Sequence, residues 1–246
     1  MKNEWADKHY LIVGGTSDIG IEVSKQLDSL GSSLHLCGRN SKNIQLVLDS
    51  LNNKEKHSLN QIDLDKKYFD SDNISHINSL DGYIYCAGMN KLTPLKYLKE
   101  ENYYETINVN TNSFLWILKY LIKKGKLNAG SSTVAISSIF SNYGKYGNLA
   151  YSASKASLES IVRVAAIELA KGENRVNSIS PGFVHTKMHN KENSISSETQ
   201  KKIISEYPLG AGSAKNIADA IIFLLSDRST WITGTNLIVD GGRSCC

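Results

Sequence analysis

Short apolar runs alternate along this chain with longer stretches that keep the spacing of an amphipathic helix. After the first run, Ile19, Val23 and Leu27 recur at intervals of four, on one face of a helix. Repeated strand–helix–strand units produce a parallel sheet with right-handed crossovers and helices on both faces. We therefore predict a doubly wound α/β fold with a seven-stranded parallel sheet, its strands at residues 10–13, 34–37, 58–62, 83–86, 133–136, 176–179 and 237–239.

Composition and charge fit one globular domain and exclude several classes of protein. The 246 residues are 41% hydrophobic and 21% charged, and no linker or repeat divides them, so we predict a single domain over residues 1–246. A net charge of +4 without a basic cluster does not suggest nucleic-acid binding. The longest apolar run, residues 220–225, is too short to span a membrane. Four cysteines without zinc-like spacing, and no signal-peptide pattern, favour a cytoplasmic location.

A glycine-rich turn follows the first apolar run and precedes the first predicted helix. In Rossmann-type folds this turn holds the pyrophosphate of a dinucleotide, because backbone N–H groups and the helix dipole attract anions there. We predict that the cofactor binds to the loop residues Gly14, Thr16, Ser17, Asp18 and Ile19. Asp18 is unusual at this place, since a carboxylate repels pyrophosphate unless it caps the helix by accepting hydrogen bonds from backbone N–H groups.

A tyrosine and a lysine four residues apart form the second candidate site. Tyr151 and Lys155 face the same side of a predicted helix. The pattern alone is a weak signal, because Tyr120 and Lys124 share it. Only the first pair is preceded by a hydroxyl residue, Ser138, just after the fifth predicted strand. Doubly wound sheets bind ligands at the carboxyl ends of their strands, so we expect Ser138, Tyr151 and Lys155 to meet there.

These three side chains suit the reduction of a carbonyl group. A free tyrosine hydroxyl has a pKa of about 10, and a nearby ammonium group lowers that pKa by favouring the phenolate. Tyr151 is therefore the candidate proton donor to the substrate oxygen, with Lys155 as the group that lowers its pKa. Ser138 would donate a hydrogen bond that stabilises the negative charge developing on the same oxygen.

The order of these motifs resembles that of the short-chain dehydrogenase/reductase family, in its one-domain branch, over nearly the whole chain. The resemblance implies a catalytic set of Asn110, Ser138, Tyr151 and Lys155, in which Asn110 anchors a water molecule of the proton relay. It also implies an adenine contact after the third strand and nicotinamide contacts after the sixth. The cofactor-binding residues implied in this way are Asp63, Leu64, Ala87, Gly88, Tyr151, Lys155, Pro181, Gly182, Val184 and Thr186.

One segment departs from the family pattern, which has Asn-Asn-Ala-Gly after the fourth strand. This chain has Tyr85, Cys86, Ala87 and Gly88 there, so the strand must be held without the asparagine amides. Ala87 and Gly88 still allow a cofactor to approach closely. We interpret Cys86 as a buried core residue rather than a nucleophile.

The end of the second predicted strand indicates which nicotinamide cofactor binds. Enzymes that use NAD(H) usually have an acidic residue there for the ribose 2′-hydroxyl, whereas an arginine suits a 2′-phosphate. No acidic residue occurs between positions 34 and 48, and the guanidinium group of Arg39 matches a phosphate. We predict NADP(H) rather than NAD(H); the alternative is that Arg39 stacks on adenine or faces solvent.

Three further expectations concern the surface of the molecule. Residues 107–122 and 153–170 are apolar nearly all round, which is typical of deep core helices or of helices that pack against another subunit. We favour the second interpretation, a homo-oligomer that is a dimer or a tetramer. The polar segment 185–207 matches the substrate lid of the family. His185 and His189 lack a third ligand at helical spacing, so no metal site is expected.

Together these features predict an NADP(H)-dependent oxidoreductase that transfers a hydride between the nicotinamide and a small-molecule carbonyl or secondary alcohol. The resemblance implies a 3-oxoacyl thioester as the substrate. One alternative is a sugar or nucleotide-sugar oxidoreductase of surface polysaccharide synthesis, because the Gly-Thr-Ser-Asp-Ile-Gly loop resembles some of those enzymes. Another is a cofactor-binding regulator without turnover, suggested by Asp18 and Tyr85-Cys86 and opposed by the intact catalytic set.

Overall fold

Seven parallel strands form one sheet in a computed structural model that describes residues 4–65, 70–186 and 197–245. The strand order is β3-β2-β1-β4-β5-β6-β7, so the direction of winding reverses between β1 and β4. The doubly wound parallel sheet expected from the sequence is confirmed. The strands are β1 (His9–Val13), β2 (Ser33–Gly38), β3 (Ser58–Gln61), β4 (Leu80–Tyr85), β5 (Leu127–Ile136), β6 (Arg175–Pro181) and β7 (Asn236–Val239).

Every strand lies where an apolar run predicted one, and the largest difference is in β5. This strand begins at Leu127, whereas the apolar run began at residue 133. The reason is that only the second half of β5 is buried, so its first half, which contains Ala129 and Gly130 in exposed positions, has no apolar pattern.

The two faces of the sheet bury separate cores, as the alternation of side chains in β1 shows. Tyr10 and Ile12 belong to one hydrophobic cluster, and Leu11 and Val13 belong to the other. Successive side chains of a strand point to opposite faces, so each face needs its own layer of helices. Both faces of β1 are buried, which explains why its sequence is apolar without alternation.

Helices cover both faces of this sheet. The α-helices of the described residues are α1 (Asp18–Ser29), α2 (Ser41–Asp49), α3 (Glu100–Ile107), α4 (Ser113–Lys123), α5 (Leu149–Leu169), α6 (Ser197–Ser205) and α7 (Ala214–Leu225). The helices α1, α2 and α7 pack on one face of the sheet, and α4 and α5, which carries Tyr151, pack on the other. None of the helices in the described part of the chain is both long and apolar enough to cross a membrane.

The predicted helix over residues 107–122 is not one regular helix, which corrects the sequence interpretation. Residue 107 ends α3, a π-type turn follows at Asn108–Asn112, and α4 then begins. In this turn the backbone carbonyl of Val109 accepts a hydrogen bond from the Tyr85 side chain. A side chain that inserts into the helical ladder in this way widens the turn, and spacing patterns in the sequence cannot reveal it.

The outer faces of α4 and α5 are exposed in the single chain. Trp116 and Ile122 of α4 are 42% exposed, and Val164 and Ile167 of α5 are 53% and 78% exposed. The interpretation of these segments as deep core helices is therefore wrong. Large apolar side chains that remain on the surface suit contact with another protein surface.

Candidate active site

One cavity connects the glycine-rich loop to Tyr151 and Lys155 at the carboxyl ends of the strands. It encloses about 240 Å³. Most of the residues predicted from the sequence line it, although they come from five separate segments of the chain. These residues are Thr16, Ser17, Asp18, Ile19, Ala87, Gly88, Ser138, Tyr151, Lys155, Pro181, Gly182, Val184 and Thr186.

The two glycines that bracket the loop are required by close backbone contacts. Gly14 has a φ of +83°, and a Cβ atom there would lie 2.5 Å from the backbone nitrogen of Ala87. A Cβ atom on Gly20 would lie 2.4 Å from the carbonyl oxygen of Gly14. Both distances are shorter than real Cβ contacts, so a larger residue would displace the loop from the end of β4 or from the start of α1.

Ser17, rather than Asp18, caps α1. The Ser17 hydroxyl oxygen accepts a hydrogen bond from the Gly20 backbone nitrogen at 3.0 Å, and the hydroxyl donates to the Gly14 carbonyl at 2.8 Å. The suggestion that Asp18 serves as the cap is therefore wrong. Asp18 is the first residue of the helix and lines the cavity, where its carboxylate contributes negative charge beside the helix N-terminus.

Lys155 is buried beside Tyr151 on the first turns of α5. Lys155 is only 2% exposed, and its Nζ atom donates a hydrogen bond to the Ile136 carbonyl at 2.7 Å. The same Nζ atom lies 5.8 Å from the centre of the Tyr151 ring. Desolvation lowers the pKa of Lys155 to about 8, against the opposing effects of Cys86 and Glu159, so the ammonium form predominates at pH 7.

Ser138 is oriented by the short helical turn that follows β5. Its hydroxyl oxygen accepts a hydrogen bond from the Phe140 backbone nitrogen at 3.2 Å. Because a serine hydroxyl can accept and donate at once, this bond leaves its own proton for a ligand oxygen in the cavity. Ser138 is 6% exposed and lines the same cavity as Tyr151, as the sequence predicted.

Asn110 is fully buried behind this cavity and does not line it. Its amide nitrogen donates to the Met89 carbonyl and to the Ser154 hydroxyl, both at 2.9 Å, and its amide oxygen accepts from the Met89 backbone nitrogen at 2.8 Å. Both amide protons are used by these bonds. The side chain therefore connects the segment after β4 to the residue that precedes Lys155.

Tyr85 holds the end of β4, at the position where the family pattern has an asparagine. Its hydroxyl donates to the Val109 carbonyl and thereby holds the end of β4 against the π-type turn. Cys86 is buried, as predicted, and its backbone nitrogen donates to the Val13 carbonyl at 2.8 Å. Burial raises the pKa of the Cys86 thiol to about 12, so the thiolate needed for nucleophilic attack is scarce near pH 7.

Arg39, Asp63 and Leu64 lie after β2 and β3 and do not line the cavity. The Arg39 guanidinium is exposed and forms an ion pair with Asp65, at 3.0 Å between Nη1 and Oδ2. The Leu64 carbonyl accepts a hydrogen bond from Asn108 at 2.8 Å. These residues are at the same edge of the sheet as the glycine-rich loop, since β2 is paired with β1 and β3 with β2.

Several side chains that line the cavity were not identified from the sequence. Leu92, Phe140, Phe183, Ile203 and Tyr207 form apolar walls, and Asn90 and Lys145 add polar groups. They come from loops and from α6, where no spacing pattern connects them to the catalytic motifs. Their position in the sequence could have predicted them, because residues that shortly follow the end of a strand lie at the ligand-binding edge of the sheet.

Only part of the predicted lid can be compared with the structure. Residues 187–196, including His189, lie outside the described residues, and the described remainder of 185–207 includes α6. Ile203 and Tyr207 of this remainder line the cavity. His185 stacks edge-on against Phe183, with 5.5 Å between ring centres. Within the described part of the chain, no three His, Cys, Asp or Glu side chains come together as metal ligands.

Comparison with known proteins agrees with this geometry. A family model described as Enoyl-(Acyl carrier protein) reductase matches residues 14–244. The 3-oxoacyl-(acyl-carrier-protein) reductase FabG of Rickettsia bellii (strain RML369-C) is 31% identical over 94% of this chain and 95% of its own. The reductase of the same name from Rickettsia typhi is 30% identical over 97% of this chain and 98% of its own. A solved short-chain type dehydrogenase/reductase from Mycobacterium ulcerans has a TM-score of 0.86 and 29% identity, covering 98% of this chain and 90% of its own.

The chain belongs to the short-chain dehydrogenase/reductase family. It is accordingly an oxidoreductase of the kind that acts on carbonyl or alcohol groups. A solved structure with lower sequence identity, the short-chain dehydrogenase/reductase described as a glucose/ribitol dehydrogenase from Brucella melitensis, supports the fold alone. It has a TM-score of 0.89 and 24% identity, with 99% coverage of both chains. Membership of a catalytic family, with the cavity assembled, argues against the regulator without turnover.

Proposed function

We propose that this short-chain dehydrogenase/reductase reduces a 3-oxoacyl thioester with NADPH. The observation that carries the proposal is that Ser138, Tyr151 and Lys155 line one cavity together with the glycine-rich loop. Relatives that match nearly the full chain at about 30% identity are named 3-oxoacyl-(acyl-carrier-protein) reductases, which supports this substrate class over a sugar.

The residues at the glycine-rich loop fit a dinucleotide. Glycines 14 and 20 leave the backbone bare where the loop meets the end of β4, and α1 directs its N-terminus at the same cavity. A helix N-terminus attracts a phosphate group through its N–H groups and dipole. Thr16, Ser17 and Ile19 would hold the pyrophosphate, and Pro181, Gly182, Val184 and Thr186 would border the nicotinamide. Asp63 and Leu64 would contact adenine.

The catalytic side chains divide the work on the substrate oxygen. The reduced nicotinamide supplies the hydride for the carbonyl carbon when it is bound. The Ser138 hydroxyl donates a hydrogen bond to the carbonyl oxygen and so stabilises the charge that develops there. Tyr151 transfers its phenolic proton to that oxygen. The Lys155 ammonium, 5.8 Å from the Tyr151 ring, stabilises the phenolate that this transfer leaves.

Hydrogen bonds of Lys155 and Asn110 would hold the groups of this proton transfer in position. The Ile136 carbonyl accepts a hydrogen bond from one of the three N–H groups of Lys155, which leaves two donors for a ribose hydroxyl and for the tyrosine. Asn110 binds Ser154, the residue before Lys155, and Met89, the residue after Gly88. It would therefore fix α5 relative to the floor of the cavity. Its service to a relay water stays a prediction.

A substrate panel with both cofactors tests the proposal. A 3-oxoacyl thioester, an enoyl thioester and an oxidised sugar would be offered with NADPH or NADH, and the loss of nicotinamide absorbance recorded. Ser138 and Tyr151 line one cavity and both can donate to a ketone oxygen, so we expect turnover of the 3-oxoacyl thioester with NADPH. We expect little turnover of the enoyl thioester, because its reduction places the proton on a carbon atom rather than on an oxygen. Turnover of the sugar alone, or of no compound, would contradict the proposal.

The remaining parts of the proposal concern the molecule as a whole. We propose one domain over residues 1–246, a lid over the substrate at about 185–207, and a homo-oligomer formed through the outer faces of α4 and α5. The exposed Trp116 and Ile167 support the last point. Replacing each with glutamate should lower the molecular mass in solution if these faces form the interfaces. A cytoplasmic location stays a prediction from the sequence.

A further inference from the structure

A buried carboxylate lies on the same helix as the catalytic pair and has no part in the mechanism described above. Glu159 follows Tyr151 and Lys155 at successive intervals of four along α5, so the three side chains lie along one face of the helix. Glu159 is only 5% exposed. Glutamate is rarely buried to this extent unless hydrogen bonds or an opposite charge compensate for its desolvation.

Hydroxyl groups from two strand ends compensate for the burial of Glu159. The Ser137 hydroxyl donates to Oε1 at 2.6 Å, and the Ser180 hydroxyl lies 3.1 Å from the same oxygen. Ser137 precedes Ser138, and Ser180 precedes Pro181 at the predicted nicotinamide contact. One carboxylate therefore joins α5 to the ends of β5 and β6, at the two points where those strands deliver residues to the cavity.

Glu159 is also the negative group that acts on Lys155. The groups that favour the charged form of Lys155 are Cys86, at the end of β4, and Glu159, on α5 itself. Burial raises the pKa of the Cys86 thiol to about 12, so this thiol is neutral at the pH where Lys155 titrates. Of these two groups, the carboxylate of Glu159 is left to oppose the desolvation of the ammonium group.

We propose that Glu159 is a positioning residue, whose carboxylate keeps Lys155 charged beside Tyr151 and holds the ends of β5 and β6 against α5. The inference rests on the proposed function, because it acts through Lys155. It predicts that the charge of Glu159, and not merely its shape, sets the pH range over which the enzyme is active.

The test is the pH profile of kcat for Glu159→Gln, with saturating NADPH and the best ketone of the panel. Lys155 loses its charge as the pH rises through about 8, so the wild type should lose activity on its alkaline side. Glutamine keeps the acceptor for both serines but removes the negative charge. We expect the alkaline limb to move to lower pH by roughly one unit.

Two matched variants separate the charge effect from loss of structure. Glu168→Gln makes the same change at an exposed position of the same helix and should leave the limb in place. Ser137→Ala removes the 2.6 Å hydrogen bond but keeps the carboxylate, so it should lower kcat without moving the limb. A shift of equal size in Ser137→Ala would mean that loosened packing is responsible, and would overturn the proposal.

The remaining outcomes also decide the question. An alkaline limb in Glu159→Gln that coincides with the wild type would overturn the role of the charge. Failure of Glu159→Gln to fold even with NADPH present would show that the carboxylate serves the fold rather than the reaction, and would also overturn the proposal. Absence of ketone reduction by the wild type would instead disprove the proposed function, on which this inference depends.

Discussion

The Tyr85 hydroxyl donates a hydrogen bond to the backbone carbonyl of Val109, and so ties the end of β4 to the π-type turn between α3 and α4. The same turn contains Asn110, whose side-chain amide forms hydrogen bonds with both the backbone N–H and the backbone carbonyl of Met89. Together these bonds hold the segment after β4, with Ala87 and Gly88, at the floor of the cavity. This arrangement explains how the chain keeps the cavity without the asparagines that the family usually has there.

Two tyrosines of β4 provide a matched test of that bond. Tyr85→Phe should lower the free energy of unfolding by about 1–2 kcal/mol, because it leaves the buried Val109 carbonyl without this donor. Tyr83 is equally buried and packs on the same Phe114 ring, but its hydroxyl has no hydrogen-bond partner in the described residues. Tyr83→Phe should therefore leave stability unchanged or raise it. Equal losses in urea denaturation would show that the bond to Val109 contributes nothing.

The sequence was sufficient to predict the sheet and the motif residues that line the cavity, but not its apolar walls, such as Phe140 and Phe183. Buried strands such as β1 are continuous apolar runs, and the motif residues at the strand ends follow from the topology. It did not predict the π-type turn, because Tyr85 and Val109 are 24 residues apart and their bond forms only in the folded chain. For the same reason it suggested the wrong cap for α1: Asp18 is a good capping residue, but the loop geometry places Ser17 at the capping position.

The close contact at Gly20 predicts a specific loss of cofactor binding. Gly20→Ala would place a methyl group 2.4 Å from the Gly14 carbonyl oxygen, so the loop must shift. We expect the Kd for NADPH to rise about tenfold or more, which corresponds to about 1.4 kcal/mol. Gly172→Ala is the control, because a Cβ atom there lies 3.5 Å from its nearest neighbour, in ordinary contact. Unchanged NADPH binding by Gly20→Ala in a fluorescence titration would argue against the loop as the pyrophosphate site.

The ion pair between Arg39 and Asp65 makes cofactor choice testable with two variants. Arg39→Ala should raise the KM for NADPH by about tenfold while changing the KM for NADH little, since only NADPH offers a 2′-phosphate to the guanidinium. Asp65→Asn removes the carboxylate that now holds Arg39 at 3.0 Å, and should lower the KM for NADPH. Steady-state kinetics with both cofactors measures these changes. Equal effects of Arg39→Ala on both cofactors would rule out the 2′-phosphate contact.

The pKa of Lys155 predicts how activity depends on pH. Burial lowers this pKa to about 8, so the lysine is charged below that pH and neutral above it. We therefore expect its proposed stabilisation of the Tyr151 phenolate to be present at pH 7 and lost as the pH rises past about 8. Lys155→Arg keeps its charge throughout this range, because arginine stays protonated. A profile of kcat against pH should show an alkaline limb in the wild type that is absent in Lys155→Arg. The same limb in both would show that another group titrates.

We propose that Tyr151 transfers the proton to the reduced carbonyl, and Tyr151→Phe removes this proton donor. Phenylalanine keeps the ring and removes the acid, so kcat for the ketone should fall by at least about 100-fold while NADPH binding persists. Tyr120→Phe alters the tyrosine of the other Tyr-x-x-x-Lys pattern, on α4, and should retain wild-type kcat. The decisive measurement is the single-turnover rate of NADPH oxidation by these two variants. We expect a large loss in Tyr151→Phe alone, and an unchanged rate in Tyr151→Phe would show that Tyr151 is not the proton donor.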